Sequence, residues 1–322
     1  MEKIDTRARR FLHKALSYAT VPGGRIYQHF GSKNNGFTGS DITGIVFIVG
    51  APRTGTTLFY QVLTNMLNVG YLSNLSNLFY HSLMTGMVFH DRLFGARPHN
   101  SFISDNGRTR RWIDVNESGK FWYQWYPKDT PCLDDEVLAG TDFSEMVSTI
   151  RRIQARLGKP LVFKNQTNSQ RVSSLARLFP DSFFIHVTRD PLATAKSIIR
   201  QRKRMLGSPE KWYSIKPENY EQIKNFDYVE QVVRQIYGVD QMIKRDFAQL
   251  DADRCMTVKY EDLGQKWPVI VDAVQDRLTR FCPVEKRSGA QAPEIKIKHI
   301  SPGQVDDPEI RTIKEKIEQV YG

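Results

Sequence analysis

The stretch IVFIVGAPRTGTTLFYQVL, Ile45 to Leu63, decides the fold. Its five leading apolar residues, Ile45 to Val49, read as a buried strand. Gly50 and Gly55 frame a turn, and a helical pattern runs from Thr57 to Leu67. A strand feeding a glycine turn and then a helix gathers backbone N–H groups at one point, and the helix dipole adds positive potential there. Such a loop cradles phosphate. The nucleoside-triphosphate version, G-x-x-x-x-G-K-[ST], sets a lysine on the β- and γ-phosphates. Here G-A-P-R-T-G-T-T keeps both glycines and the final hydroxyl, Thr57; Thr56 replaces the lysine, and a cation stands earlier, at Arg53. Arg53, Thr54, Gly55, Thr56 and Thr57 are therefore expected to hold a 5′-phosphate without magnesium-triphosphate chemistry. The plain alternative is an ordinary strand–turn–helix connection.

Further strands are expected at Leu161 to Lys164, Phe183 to Val187 and Cys255 to Tyr260. Helices are expected over Glu145 to Leu157, Ser169 to Phe179, Leu192 to Leu206, Tyr228 to Leu250 and Glu309 to Tyr321. Short apolar runs followed by loop and helix patterns imply an α/β fold: a central parallel sheet flanked by helices on both faces. Residues 1–322 are read as a single domain, with residues 1–40 an N-terminal helix and loop. Residues 71–142 read as an irregular, aromatic-rich insertion. Long insertions after strand ends build the ligand crevice of such sheets.

The net charge of +11 favours anionic ligands. Cys132, Cys255 and Cys282 are too widely spaced for a disulfide framework or a zinc site. No export signal or membrane-spanning run is evident, so a cytoplasmic location is expected. RARRFLHKALSYA, Arg7 to Ala19, has the pattern of a short basic amphipathic helix. It suits either peripheral contact with acidic lipid or packing on the domain.

A second anion site is legible in FFIHVTRDPLATAKS. Asp190 suits an N-cap and Pro191 a first helical position, which puts Arg189 at a strand's C-terminal end. Ser197 follows Arg189 by about two helical turns, so both can face one anion. GAPRTGTTL, Gly50 to Leu58, resembles the 5′-phosphosulfate loop of sulfotransferases that use 3′-phosphoadenosine 5′-phosphosulfate (PAPS). RDPLATAKS, Arg189 to Ser197, resembles their 3′-phosphate motif, and VKYEDL, Val258 to Leu263, resembles a motif after a later strand. The resemblance implies a P-loop-like α/β fold that binds PAPS as co-substrate and passes its sulfuryl group to a hydroxyl or amine. No metal and no nucleic acid is implied. Arg53 stands at the position of the family's catalytic lysine, where Golgi and many bacterial members also carry arginine. A guanidinium there can stabilise charge that builds between the leaving phosphate and the moving sulfuryl group.

The resemblance supplies no base. Cytosolic members carry histidine two residues after a lysine at the end of the second strand; in FKNQTN that position is Gln166. The glutamate of tyrosylprotein members falls on Asn74. The segment Ser104 to Pro127, SDNGRTRRWIDVNESGKFWYQWYP, mixes charge and aromatics and suits a sugar acceptor. It also resembles a segment of bacterial sulfotransferases associated with surface polysaccharides. A carbohydrate or glycolipid hydroxyl is therefore the expected acceptor. Glu117 is the first candidate base, and a salt-bridged glutamate is the alternative. Asp105, His81, His90 and His99 are reserves. Trp112, Trp122 and Trp125 suit either a pocket or the core. RQRKR, Arg200 to Arg204, reads as the solvated last turn of its helix, the alternative being a wider phosphate or acidic-glycan surface; KIKHISPG, Lys296 to Gly303, stands where C-terminal loops of the family close over the nucleotide, with no residue match that assigns one. Two rival readings are a small-molecule kinase, which Thr56 opposes, and a non-enzymatic nucleotide- or polyanion-binding module.

Overall fold

The computed structural model describes residues 43–95, 101–127, 135–290, 295, 297 and 307–322. Five strands form one parallel sheet in the order β2-β3-β1-β4-β5: β1 (Ile45–Val49), β2 (Gly70–Tyr71), β3 (Leu161–Lys164), β4 (Ser182–Thr188) and β5 (Cys255–Lys259). The principal helices are α1 (Thr56–Met66), α2 (Leu83–Phe94), α3 (Ser144–Leu157), α4 (Val172–Leu178), α5 (Pro191–Leu206), α6 (Tyr228–Phe247), α7 (Trp267–Thr279) and α8 (Pro308–Tyr321).

Strand β1 is central and wholly buried, and its side chains alternate between two cores. Ile45, Phe47 and Val49 join the core covered by α2 to α6 and α8. Val46 and Ile48 join the core covered by α1 and α7. A strand buried on both faces has no polar side to show, which is why its sequence is continuously apolar. Phe47 anchors the first core. Its ring stacks on Phe184, 5.3 Å away on β4, and lies 5.8 Å from Phe163 on β3 and edge-on to Trp122 at 6.1 Å. Trp122 is fully buried there, so it is a core residue, while Trp112 is 52% exposed.

The segment expected to be irregular contains α2, whose Leu83, Met84, Met87 and Val88 pack into the first core. Its sequence LMTGMVFHDRLF has helical spacing that the surrounding aromatics mask. Helix α7, in WPVIVDAVQDRLT, was also unforeseen; it is opened by Trp267 and Pro268 and buries Val271, Val274 and Leu278. Strand β2 has only two residues, too few for a sequence pattern. The expected helix from Ser169 starts at Val172 instead. Asn165 accepts a hydrogen bond from the Thr167 amide at 2.9 Å and opens a tight 3-10 turn over Gln166–Gln170 first. The Arg7 to Ala19 helix, Cys132 and His99 lie outside the described residues, as does Lys296 to Gly303 apart from Ile297. Cys255 and Cys282 are free thiols. No helix among the described residues is long and apolar enough to cross a membrane.

Arg254 fastens the start of β5. Its guanidinium donates to the carbonyls of Ser182 (3.0 Å), Ala176 and Phe179 (3.2 Å each) and to Ser182 Oγ (3.1 Å). Arg254→Met keeps the apolar stem and removes the donors. It is expected to lower unfolding free energy by about 2–3 kcal/mol, read as a reduced urea midpoint with an unchanged slope. A midpoint equal to the parent's would show that the clamp adds nothing.

Candidate functional site

The C-terminal ends of β1, β3, β4 and β5 open into a cleft of about 1970 Å³. At its floor, β1 ends where its ladder hydrogen bonds stop, and the Gly50 peptide needs new partners. The turn after β3 supplies them. Gly50 N donates to Ser169 Oγ at 3.0 Å, and Gly50 O accepts from Ser169 Oγ at 3.0 Å and Gln166 Nε2 at 2.7 Å. Gln166, which stands at the family's histidine position, is thus a buttress of the loop. Thr54 Oγ1 donates to Ala51 O at 2.9 Å and tightens the turn.

Gly55 is left-handed, with φ +94°, and a side chain there would overlap the Tyr260 ring. Glycine is required on both counts. Arg53 also has positive φ, 72°. An arginine held in this uncommon conformation points to a demand of the loop on its side-chain direction. Thr56 and Thr57 are buried at the start of α1.

The second anion motif folds onto the first. Arg53 Nε donates to Ser197 Oγ at 3.2 Å, and Arg189 Nη1 donates to Arg53 O at 3.2 Å. The Arg189 guanidinium also lies 4.4 Å from the Tyr260 ring centroid. The Asp190 side chain caps α5 through the Ala193 amide at 2.7 Å with Pro191 in the first turn, as its sequence implied. Asp190 N donates to Glu261 Oε1 at 3.1 Å. GAPRTGTTL, RDPLATAKS and VKYEDL therefore meet at one place, although far apart in sequence. Burial lowers the pKa of Arg53; Tyr213 opposes this, and Arg200 and Arg189 add to it. Arginine remains charged through such shifts, so the loop presents a partly desolvated cation beside others.

Glu117 lines the cleft at the end of β3. One carboxylate oxygen pairs with Lys164 Nζ, the other accepts from Gln166 N at 3.1 Å, and Asn165 Nδ2 donates to Glu117 O at 3.1 Å. The glutamate is salt-bridged and also faces the cleft, with its side chain 32% exposed. Asn74 lines the cleft too, and donates from Nδ2 to Thr109 Oγ1 at 2.9 Å and Arg111 O at 2.7 Å. Among the reserve bases, Asp105 pairs with Arg204 at 2.8 Å. His90 is buried against Tyr71, ring centroids 5.0 Å apart, and burial lowers its pKa to about 4. His81 stacks on Tyr80, 4.0 Å between centroids. None of these three lines the cleft.

Two features went unread in the sequence. The turn Asp105 to Arg108 crosses above α1: a side chain at Gly107 would meet Thr57 Oγ1 at 3.3 Å and Glu117 Oε1 at 3.8 Å. The loop after α5 carries Trp212, Tyr213 and Lys216 into the cleft. RQRKR is not simply a solvated turn, because Arg202 is wholly buried and props this loop. Its Nη1 donates to Pro209 O at 3.1 Å and Gln231 Oε1 at 2.9 Å, with Trp212 over its guanidinium at 5.1 Å. Arg200 lines the cleft. Nothing local marks Arg202 as buried, since its partners come from α6 and from the loop it supports.

The family model described as "Sulfotransferase family" matches residues 46–280. Similar solved structures include sulfotransferase STF9 from Mycobacterium avium, at 15% identity over 83% of this chain and 70% of that one, with TM-score 0.49. Sulfotransferase STF1 from Mycobacterium tuberculosis H37Rv is 13% identical over 97% of this chain and 85% of that one, with TM-score 0.47. A sulfotransferase from Alicyclobacillus acidocaldarius is 14% identical over 85% of this chain and 95% of that one, with TM-score 0.42. No curated protein matches the sequence. The family match runs from β1 through α7 and so takes in all five strands and the loops that close around Arg53: this chain belongs to the sulfotransferase family.

Proposed function

We propose that the chain transfers a sulfuryl group from PAPS to a hydroxyl of a carbohydrate or glycolipid, by direct in-line displacement without a required metal. The observation that carries this reading is the junction of the two anion motifs, where Arg53 Nε meets Ser197 Oγ and Arg189 meets the Arg53 carbonyl. A nucleotide with phosphates at both 5′ and 3′ positions needs such paired sites, and a single phosphate does not. The donor, when bound, would supply the sulfuryl group and depart as adenosine 3′,5′-bisphosphate.

In this reading the amides of Gly55 to Thr57 and the hydroxyls of Thr56 and Thr57 hold the 5′ end, and Arg189 and Ser197 hold the 3′-phosphate; Thr54, expected with them, instead turns its amide and hydroxyl to Ala51 O. Gly55 keeps the loop free of a side chain where Tyr260 closes in. Arg53 stabilises negative charge as it develops on the leaving oxygen, with little reorganisation because its stem is held in the loop. Ser197 orients its Nε. Glu117 accepts the proton of the attacking hydroxyl. A carboxylate has about four acceptor positions, so the bonds from Lys164 and Gln166 leave room for one more. Lys164, fixed by Glu117, adds a second cation near the reacting centre. The aromatic rings around the cleft suit the apolar faces of a sugar.

Adenosine 3′,5′-bisphosphate is expected to raise the melting temperature far more than AMP or ATP with magnesium. Arg189→Ala is expected to weaken its binding about ten- to a hundredfold, the worth of a charge-assisted hydrogen bond. Equal shifts from AMP, or calorimetry showing unchanged affinity in the variant, would remove the 3′-phosphate site.

Arg53→Ala is expected to lower turnover much more than it weakens bisphosphate binding, because the charge it meets grows toward the transition state. Arg53→Lys should recover part of the rate. Full turnover in the alanine variant would leave Arg53 as a structural residue.

For Glu117→Gln, which keeps the shape, turnover is expected to fall by about 10²–10⁴ with bisphosphate affinity retained. A rate within a few-fold of the parent would clear Glu117 as base. Joint loss of rate, affinity and thermal stability would instead mark it as a structural partner of Lys164.

A further inference from the structure

The cleft carries more positive charge than one nucleotide uses. With Arg53, Arg189 and Ser197 given to the donor, Arg108, Lys120 and Lys216 still line the cavity. No carboxylate among the described residues pairs with any of these three. Two of them rest on neutral rings instead. Lys120 Nζ lies 4.6 Å from the Tyr80 centroid, and Lys216 Nζ lies 4.3 Å from that of Tyr220. A ring face attracts a cation but leaves its charge uncompensated. Glu117, the one acid among the described residues that lines the cleft, is already paired with Lys164.

Their place in the fold separates them from the donor residues. Arg189 and Tyr260 stand at the ends of β4 and β5, on one flank of β1. Lys216 O accepts from Gln170 in the turn after β3, on the other flank. Lys120 lies three residues past Glu117, which binds Lys164 at the end of β3. Arg108 closes the turn whose Gly107 sits over Thr57 and Glu117. All three therefore line the same cleft as Glu117, the group that in this reading stands beside the attacking hydroxyl.

The loop that bears Lys216 is held in shape. Gln235, wholly buried on α6, donates to Tyr213 O at 2.9 Å and Ile215 O at 2.7 Å. Trp212 Nε1 donates to Ser214 O at 3.2 Å, and Trp212 meets Tyr220 edge-on at 4.7 Å. The result is a fixed aromatic shelf with a cation at its edge, in a cleft that Arg108 and Lys120 also line. Rings bind the apolar face of a pyranose, and unpaired cations beside them select a group of negative charge on that sugar.

We infer that the acceptor is an acidic saccharide, a pyranoside bearing a carboxylate, recognised by Arg108, Lys120 and Lys216 around the Trp212–Tyr220 shelf. The inference rests on the sulfuryl-transfer reading for where the acceptor stands. Neutral saccharides would leave the three cations unmatched and bind through the rings alone.

The test is calorimetric titration of two probes, a hyaluronan tetrasaccharide, whose glucuronates are charged, and neutral chitotetraose. Each is titrated into the protein alone and into its complex with adenosine 3′,5′-bisphosphate. The hyaluronan probe is expected to bind at least about tenfold tighter, with the gap narrowing as salt is raised. In the combined variant Arg108→Gln, Lys120→Gln, Lys216→Gln the gap should close, while bisphosphate affinity stays at the parent value. Equal affinity for the two sugars, binding of neither, or a preference that survives in the variant would overturn the inference. Weakened bisphosphate binding in the variant would overturn it too, by returning these cations to the nucleotide. Failure of the parent protein to bind bisphosphate would instead bring down the donor reading, and the sugar titrations into the protein alone would still decide the acceptor's charge.

Discussion

The Gly50 peptide is the point on which the site depends. Strand β1 is buried on both faces and flanked by β3 and β4, so its backbone is satisfied until the ladder ends at Val49. The next peptide is buried, and an unmet buried amide or carbonyl costs about 1–3 kcal/mol. Ser169 and Gln166 meet it from the turn after β3. That closure lets the chain leave the sheet abruptly and enter α1 through a left-handed Gly55. Gly55, Thr56 and Thr57 then line the cleft. Without this buttress the sharp exit from β1 would have no reason to hold its shape.

Electrostatics follow from the same convergence. Helix α5 begins at the end of β4, directly beside the loop, so Arg189, Ser197 and Arg200 approach Arg53. Like charges at such range repel, and the folded state tolerates them through ring faces, backbone acceptors and a single ion pair at Glu117. A dianionic ligand relieves that repulsion. Binding and stability are thus linked in this protein: what fills the cleft also settles the charges that line it. Glu117 has a position of its own in this balance, being the one acid among the described residues that lines the cavity. Its salt bridge fixes Lys164, and its exposed edge is available to a hydroxyl.

The sequence by itself determined four of the five strands and the glycine turn after β1. Buried strands between short helices leave an unbroken apolar run, and Ile45–Val49, Leu161–Lys164 and Ser182–Thr188 show it. The caps are equally local: Asp190 with Pro191 fixes the start of α5, and Gly55 is needed for a positive φ. Such features act within a few residues, so they can be read along the chain. Arg53, Arg189 and Ser197 were legible for the same reason, since each is placed by the strand or helix that carries it.

Tertiary structure decided the β3 side of the cleft. Glu117 was legible as a candidate, but its partners Lys164 and Gln166 lie beyond a long, non-periodic segment. Gly107 over Thr57, Arg202 buried under the 207–220 loop, and the sharing of one cleft by Lys216 and Lys120 had no local signal at all. Charge alone suggested that Arg200 to Arg204 would be solvated, yet burial of Arg202 depends on acceptors from α6 and from Pro209. Helix α2 was hidden for a related reason, because an apolar stripe crowded by aromatics shows its period only once the core it packs against is known. Backbone propensity and capping are set by neighbours in sequence, whereas the meeting of loops is set by how distant segments close on a common core. That closure is what determined which cations share the cleft.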